Sequence, residues 1–129
     1  MTLATPERSV TLTIPAQADC ALVARMALSG LGLLAGLDVD IIGDLRTVTD
    51  ECCDCLEHQP YRPARIRVEA WAGAGRFRCR FTAEERGAAE GVHALDLEIT
   101  RGVLETLMPV VRLESDEGGV YGIECSVPA

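Results

Sequence analysis

Val10, Leu12 and Ile14 alternate with Thr11 and Thr13 and stop at Pro15, which predicts a short first strand with one apolar side. Asp19 is placed to cap a following helix, in which Leu22, Met26, Ser29 and Leu33 recur at near-helical spacing as far as Gly36. That stripe, in an Ala- and Leu-rich run, predicts a mostly buried first helix. Asp38 can cap a second helix, because Ile41, Leu45, Val48, Cys52, Cys55 and Leu56 keep the three-and-four spacing of one face before Pro60 ends it. After a connector through Pro60 and Pro63, Ile66, Val68 and Ala70 alternate with Arg65, Arg67 and Glu69. Ala72–Gly75 reads as a turn, and Phe77, Cys79 and Phe81 then alternate with Arg76, Arg78 and Arg80. The two runs form a hairpin with one apolar and one arginine-bearing face.

From Thr82 to Gly91 the chain turns to Ala, Glu and Gly and reads as a loop. Leu95, Ile99, Val103 and Leu107 recur every fourth residue, predicting a third helix before Pro109. Val110–Glu114 and Val120–Val127 read as a second hairpin around Asp116-Glu117-Gly118-Gly119. The order β-α-α-β-β-α-β-β, with hairpins in place of crossovers, predicts an α+β fold. It is a two-layer sandwich of about five mostly antiparallel strands with three helices on one face. Leu45, Val48 and Cys52 should cover Ile66, Val68, Phe77, Cys79 and Phe81.

The length of 129 residues suits a single domain over 1–129, and 48% hydrophobic against 25% charged residues excludes a disordered chain. A net charge of −8 gives no footprint for nucleic acid or an anionic membrane. All 12 cations are arginines, and Arg62, Arg65, Arg67, Arg76, Arg78, Arg80 and Arg86 gather mid-chain. They read either as a solvated strand face balanced by acids or as a docking surface for an acidic partner or phosphate. The N-terminal residues lack the pattern of a secretory signal, and Ala21–Leu37 is interrupted by Arg25, Ser29 and glycines, so no span is predicted. Six cysteines without an export signal point to reduced thiols and a cytoplasmic protein.

Cys52, Cys53, Cys55 and His58 lie close together, with Cys52 and Cys55 in a C-x-x-C. A structural zinc site draws on two such clusters, and Cys20, Cys79, Cys125 and His93 are scattered, so buried thiols are the better reading. A thioredoxin-like role is disfavoured because that motif opens a helix after a strand. His58 follows Glu51 by two helical turns near the stripe of Asp44. It reads as a polar helix edge favoured by the dipole or as part of a cleft triad, for which no nucleophile has a recognisable elbow.

Ile14-Pro15-Ala16-Gln17, Arg25, Leu28-Ser29-Gly30, Gly36–Asp40 and Asp44-Leu45-Arg46 resemble the first strand, first helix and lead into the second helix of the anti-sigma-factor serine/threonine kinases. These belong to the histidine-kinase-like ATPase superfamily. Asp50-Glu51-Cys52-Cys53-Asp54-Cys55 matches the family's Ser-Glu-Ala-Cys-x-Asn box, and Leu104–Met108 its last helix. The resemblance implies a mixed, mostly antiparallel sheet under three helices, with a nucleotide site between the layers. It assigns Glu51 as candidate general base and Cys55 to the Asn position that holds Mg²⁺. The adenine-reading Asp falls on Ala83, or on Glu84 if the register slips by one. Sulfur is a poor ligand for a hard ion, and Ala accepts no hydrogen bond. Few glycines remain for a phosphate-wrapping lid, Gly91 and Gly102 among them. The resemblance therefore implies a degenerate member, a regulatory interaction domain that needs no cofactor. Its partner would be a sigma factor or an anti-sigma antagonist met through the first helices, with homodimerisation usual in the family. The alternatives are an active kinase using ATP and Mg²⁺, or a pocket repurposed for another small ligand.

Overall fold

The computed structural model describes residues 7–17, 19–88 and 97–129. Along the chain run β1 (Arg8–Pro15), α1 (Cys20–Leu34), α2 (Val39–Glu57), β2 (Tyr61–Arg62), β3 (Arg65–Gly73), β4 (Arg76–Glu84), β5 (Gly87–Ala88), α3 (Leu97–Leu107), β6 (Val110–Asp116) and β7 (Gly119–Pro128). The main sheet has the order β1-β3-β4-β7-β6, and β2 and β5 form a separate two-stranded pair. Every pairing is antiparallel, so the sheet is antiparallel throughout and not mixed. Hairpins join β3 to β4 and β6 to β7, and neither needs a parallel crossover.

The period-two faces pack as predicted. Ile66, Val68, Phe77, Cys79 and Phe81 are buried with Leu45, Val48 and Cys52 in one core that also takes in Ile123 and Cys125. α1 lies over β1 and β3, α2 over β4 and β7, and α3 beside α2 over β6. The opposite sheet face carries arginines and glutamates: Arg67 meets Glu84 at 3.0 Å and Arg80 meets Glu114 at 2.6 Å. β4 runs to Glu84, where a loop was expected from Thr82. The ladder to β3 continues through Thr82↔Arg67, Ala83↔Ile66 and Glu84↔Arg65, and this pairing overrides the weak strand propensity of Ala and Glu. The β3–β4 turn has positive φ at both Ala74 (53°) and Gly75 (73°), the backbone of a tight two-residue hairpin loop.

Two helix faces differ from expectation. On α1 the buried stripe is Cys20, Ala24, Leu28 and Leu31, while Leu22, Met26 and Leu33 are 52%, 69% and 66% exposed. The buried stripe opens with the small side chains of Cys20 and Ala24, which let that end of α1 approach β1 and β3 closely. On α3 the buried positions are Thr100 and Leu104, continued by Met108, while Ile99 is exposed. The face is shifted by one residue because a threonine, not an apolar side chain, points inward. Leu95 and Gly91 lie outside the described residues. Asp19 makes no side-chain capping bond, whereas Asp38 accepts from the Asp40 backbone N–H at 2.7 Å and caps α2 as predicted.

Candidate functional site

α2 carries the first half of the candidate site. Its apolar face locks Leu45, Val48, Cys52 and Leu56 into the core, which fixes the rotation of Glu51 and Cys55. Glu51 is half-buried and lines a cavity of about 400 Å³ with Ala21, Asp50, Cys53, Asp54 and Glu57. This cavity lies along the seam between α1 and α2. Cys55, one turn further on, is 1% exposed. Burial pushes its thiol up to about 11, a rise tempered by a hydrogen bond with Thr100 of α3 and helped by the charges of Glu51 and Asp54. The Gln59 amide also meets its sulfur, at 3.5 Å. Cys55 thus sits where α2 and α3 pack together.

β4 carries the other half. Ala83 is 9% exposed and faces the helices in the same series as Phe77, Cys79 and Phe81. Glu84 faces the opposite side of the sheet, where it is paired with Arg67. The pleat therefore separates the two alternatives for the adenine-reading position, and only Ala83 shares the interior with Cys55. Of the two glycines left for a lid, Gly91 lies outside the described residues and Gly102 lies within α3.

The fold is shared with solved structures. The chain is similar to the crystal structure of the RsbU and RsbW domains of Rv1364c from Mycobacterium tuberculosis, with a TM-score of 0.71 over 96% of this chain. Sequence identity is 21%, so the likeness is one of fold. The match spans 32% of the length of that chain. No protein-family model matches the sequence, and no curated protein matches it.

A third group of residues escaped the sequence reading. Gln59 follows α2 and is fully buried: its Nε2 donates to the Cys55 carbonyl at 2.8 Å, and its Oε1 accepts from the Val120 N–H at 3.0 Å. Beside it, the Arg86 guanidinium lies over the rings of Tyr61 (5.5 Å) and Tyr121 (5.4 Å). It donates to both oxygens of Asp116 at 2.8 Å. The Arg86 hydrogen bond is the main cause that lowers the Asp116 carboxyl to about 2. Gly118 and Gly119 pass so close to Tyr61 and Gln59 that a Cβ at either would collide, and Gly119 also has φ of 100°. Together these contacts fasten the end of α2 and the β2–β5 pair to the β6–β7 hairpin. No short-range signal in the sequence pairs residues so far apart.

His58 is tied to its own helix, with Nδ1 2.8 Å from the Asp54 carbonyl oxygen and 3.2 Å from its carboxylate. This is the helix-edge arrangement and not a cleft triad. All six cysteines are free and buried. Among the described residues no group of His, Cys, Asp and Glu is arranged to hold a metal ion, and no helix is long and apolar enough to cross a membrane.

Proposed function

We propose that this chain is a regulatory protein-interaction domain of the anti-sigma-factor type, which binds a sigma factor or an anti-sigma antagonist and does not depend on ATP. The fold likeness to a structure containing an RsbW domain supports a role in regulation by protein contact. The single observation that carries the reading is the uncovered stripe on α1. Leu22, Met26 and Leu33 stand on one helix face with Leu34 and Val39 nearby, all more than half exposed, and no described residue packs over the stripe. A contiguous apolar helix face with polar surroundings marks a surface that another protein covers.

The residues at the family's nucleotide positions argue for loss of ATP binding. Cys55 offers soft sulfur, enclosed by Thr100 and Gln59, to an ion that prefers open oxygen ligands. Ala83 has no acceptor for an adenine amino group. Glu51 keeps the chemistry of a general base, but phosphoryl transfer needs metal, phosphate-wrapping backbone and base in place together.

Two measurements test the reading. Binding to the sigma factors and anti-sigma antagonists of the source organism is expected to fall at least tenfold in each of Leu22→Asp, Met26→Asp and Leu33→Asp. Undiminished binding in all three would refute the α1 surface. Calorimetric titration with ATP and Mg²⁺ is expected to give no measurable heat of binding. Micromolar affinity, about −8.2 kcal/mol, would establish the kinase reading in its place.

A further inference from the structure

We propose that Cys20 and Cys53 are an oxidisable thiol pair, which a peroxide closes into a disulfide that staples the first turn of α1 to the middle of α2. Their sulfurs are 4.0 Å apart and share a hydrogen bond. A disulfide requires about 2.05 Å, so each side chain has to shift by only about 1 Å. The two residues come from helices packed along the same seam.

All six thiols are at most 1% exposed, and the pair differs from the others in lying beside a cavity. Cys53 lines the cavity of about 400 Å³ between α1 and α2, and Ala21, the residue after Cys20, lines it too. Cys52, Cys79 and Cys125 sit between α2 and the sheet, with Cys79 directly opposite Cys125 across β4 and β7, and none of them lines that cavity.

The helix geometry also assigns the roles. Cys20 is the first residue of α1, where the helix N-terminus favours a thiolate. The hydrogen-bonded contact between the two sulfurs holds Cys20 below the ordinary thiol value, and the same contact, followed by burial and the charges of Glu57 and Asp50, pushes Cys53 up. The Cys20 thiolate attacks one peroxide oxygen, the O–O bond breaks, and the departing hydroxide takes a proton to become water. Cys53 then attacks the sulfur of the Cys20 sulfenic acid, the S–O bond breaks, and the hydroxyl leaves with the Cys53 proton as a second water. Two thiols lose two electrons and the peroxide gains them. Asp50, Glu51, Asp54 and Glu57 ring the cavity, so the site favours a small neutral oxidant over an anionic one such as glutathione disulfide.

The pair stands independently of what docks on α1. Hydrogen peroxide is added to the native protein, followed by peptide mapping without reductant and free-thiol counting after unfolding. The expected result is a peptide pair linked through Cys20 and Cys53, with two of the six thiols lost, both restored by dithiothreitol. Glutathione disulfide at the same concentration should react at least tenfold more slowly. In Cys53→Ser, dimedone should label Cys20. If that variant fails to fold, the map of the unaltered protein decides alone. A linkage between Cys79 and Cys125, a random mixture of linkages, or six intact thiols after peroxide treatment would overturn the proposal.

Discussion

α1 offers two apolar stripes, and shortening a side chain on each should give opposite results. Leu28 is 1% exposed and packs in the core with Ala24 and Leu31. Leu28→Ala removes buried carbons and leaves a cavity that the sheet below cannot fill, at a cost of about 2–5 kcal/mol. For a chain of this size each kcal/mol moves Tm by roughly 4 °C, so the variant should melt about 8–20 °C lower. Met26 is 69% exposed. Met26→Ala gives up almost no burial, and alanine is the better helix former, so stability should stay within about 0.5 kcal/mol, or about 2 °C. Urea unfolding of both variants at equal protein concentration, with unchanged slope, is the assay. A larger loss for Met26→Ala than for Leu28→Ala would refute the rotation of the helix. A loss for Met26→Ala that grows with protein concentration would identify a self-associated state covering the stripe.

Three further outcomes follow from other parts of the molecule. Gln59→Ala should cost about 3–5 kcal/mol in urea unfolding, because it strands the buried Val120 N–H and the Cys55 carbonyl and opens a cavity; a loss below about 1 kcal/mol would contradict the bridge. Asp116 has a folded pKa of about 2, lowered from about 3.9, so its contribution is present above pH 4 and lost as pH falls toward 2; Tm measured at pH 5 and pH 2.5 should therefore fall less in Asp116→Asn than in the parent. Ala74→Asn should stabilise the β3–β4 turn by about 0.5–1 kcal/mol, since asparagine tolerates positive φ better than alanine, and a lower Tm would count against the turn geometry.

The strands were legible because their period-two pattern has one apolar and one charged side, so Ile66, Val68, Phe77 and Phe81 could face only one way. α2 was legible for the same reason at helical spacing, and with it the adjacency of Glu51 and Cys55. α1 was not, because both of its faces are apolar. The exposed stripe of Leu22, Met26 and Leu33 is as apolar as the buried one of Cys20, Ala24, Leu28 and Leu31, so pattern alone could not choose between them, and the small Cys20 and Ala24 let the buried face approach the sheet. Gly32 marks the equally close packing of α1 on α2: a Cβ there would lie 3.3 Å from Leu37 Cδ1 and 3.5 Å from Ile42 Cγ1. α3 was misread by one residue because Thr100 is polar by type and buried by position, satisfied by Cys55. The Gln59 bridge and the Arg86–Asp116 pair join residues distant along the chain. Periodicity carries no information at that range.

The arginine run bears on which surface a partner can use. Arg65, Arg67, Arg78, Arg80 and Arg86 each sit against a carboxylate: Glu85, Glu84, Glu7, Glu114 and Asp116. A guanidinium already paired must give up that contact before it binds an incoming acid, so the net gain from such an exchange is small. Arg78 has in addition the Trp71 ring at 4.9 Å. Five of the seven arginines of the run are therefore answered within the chain, which favours a solvated face over a docking surface for phosphate or an acidic partner. The α1 stripe has no such internal answer among the described residues. Its exposed leucines and methionine gain only when another apolar surface removes them from water, at about 25 cal/mol per Å² covered. Of these two surfaces, the apolar one holds the driving force for association. Neutralising Arg76→Gln and Arg78→Gln together should accordingly leave partner affinity within about threefold, and a larger loss would move the interface to the sheet.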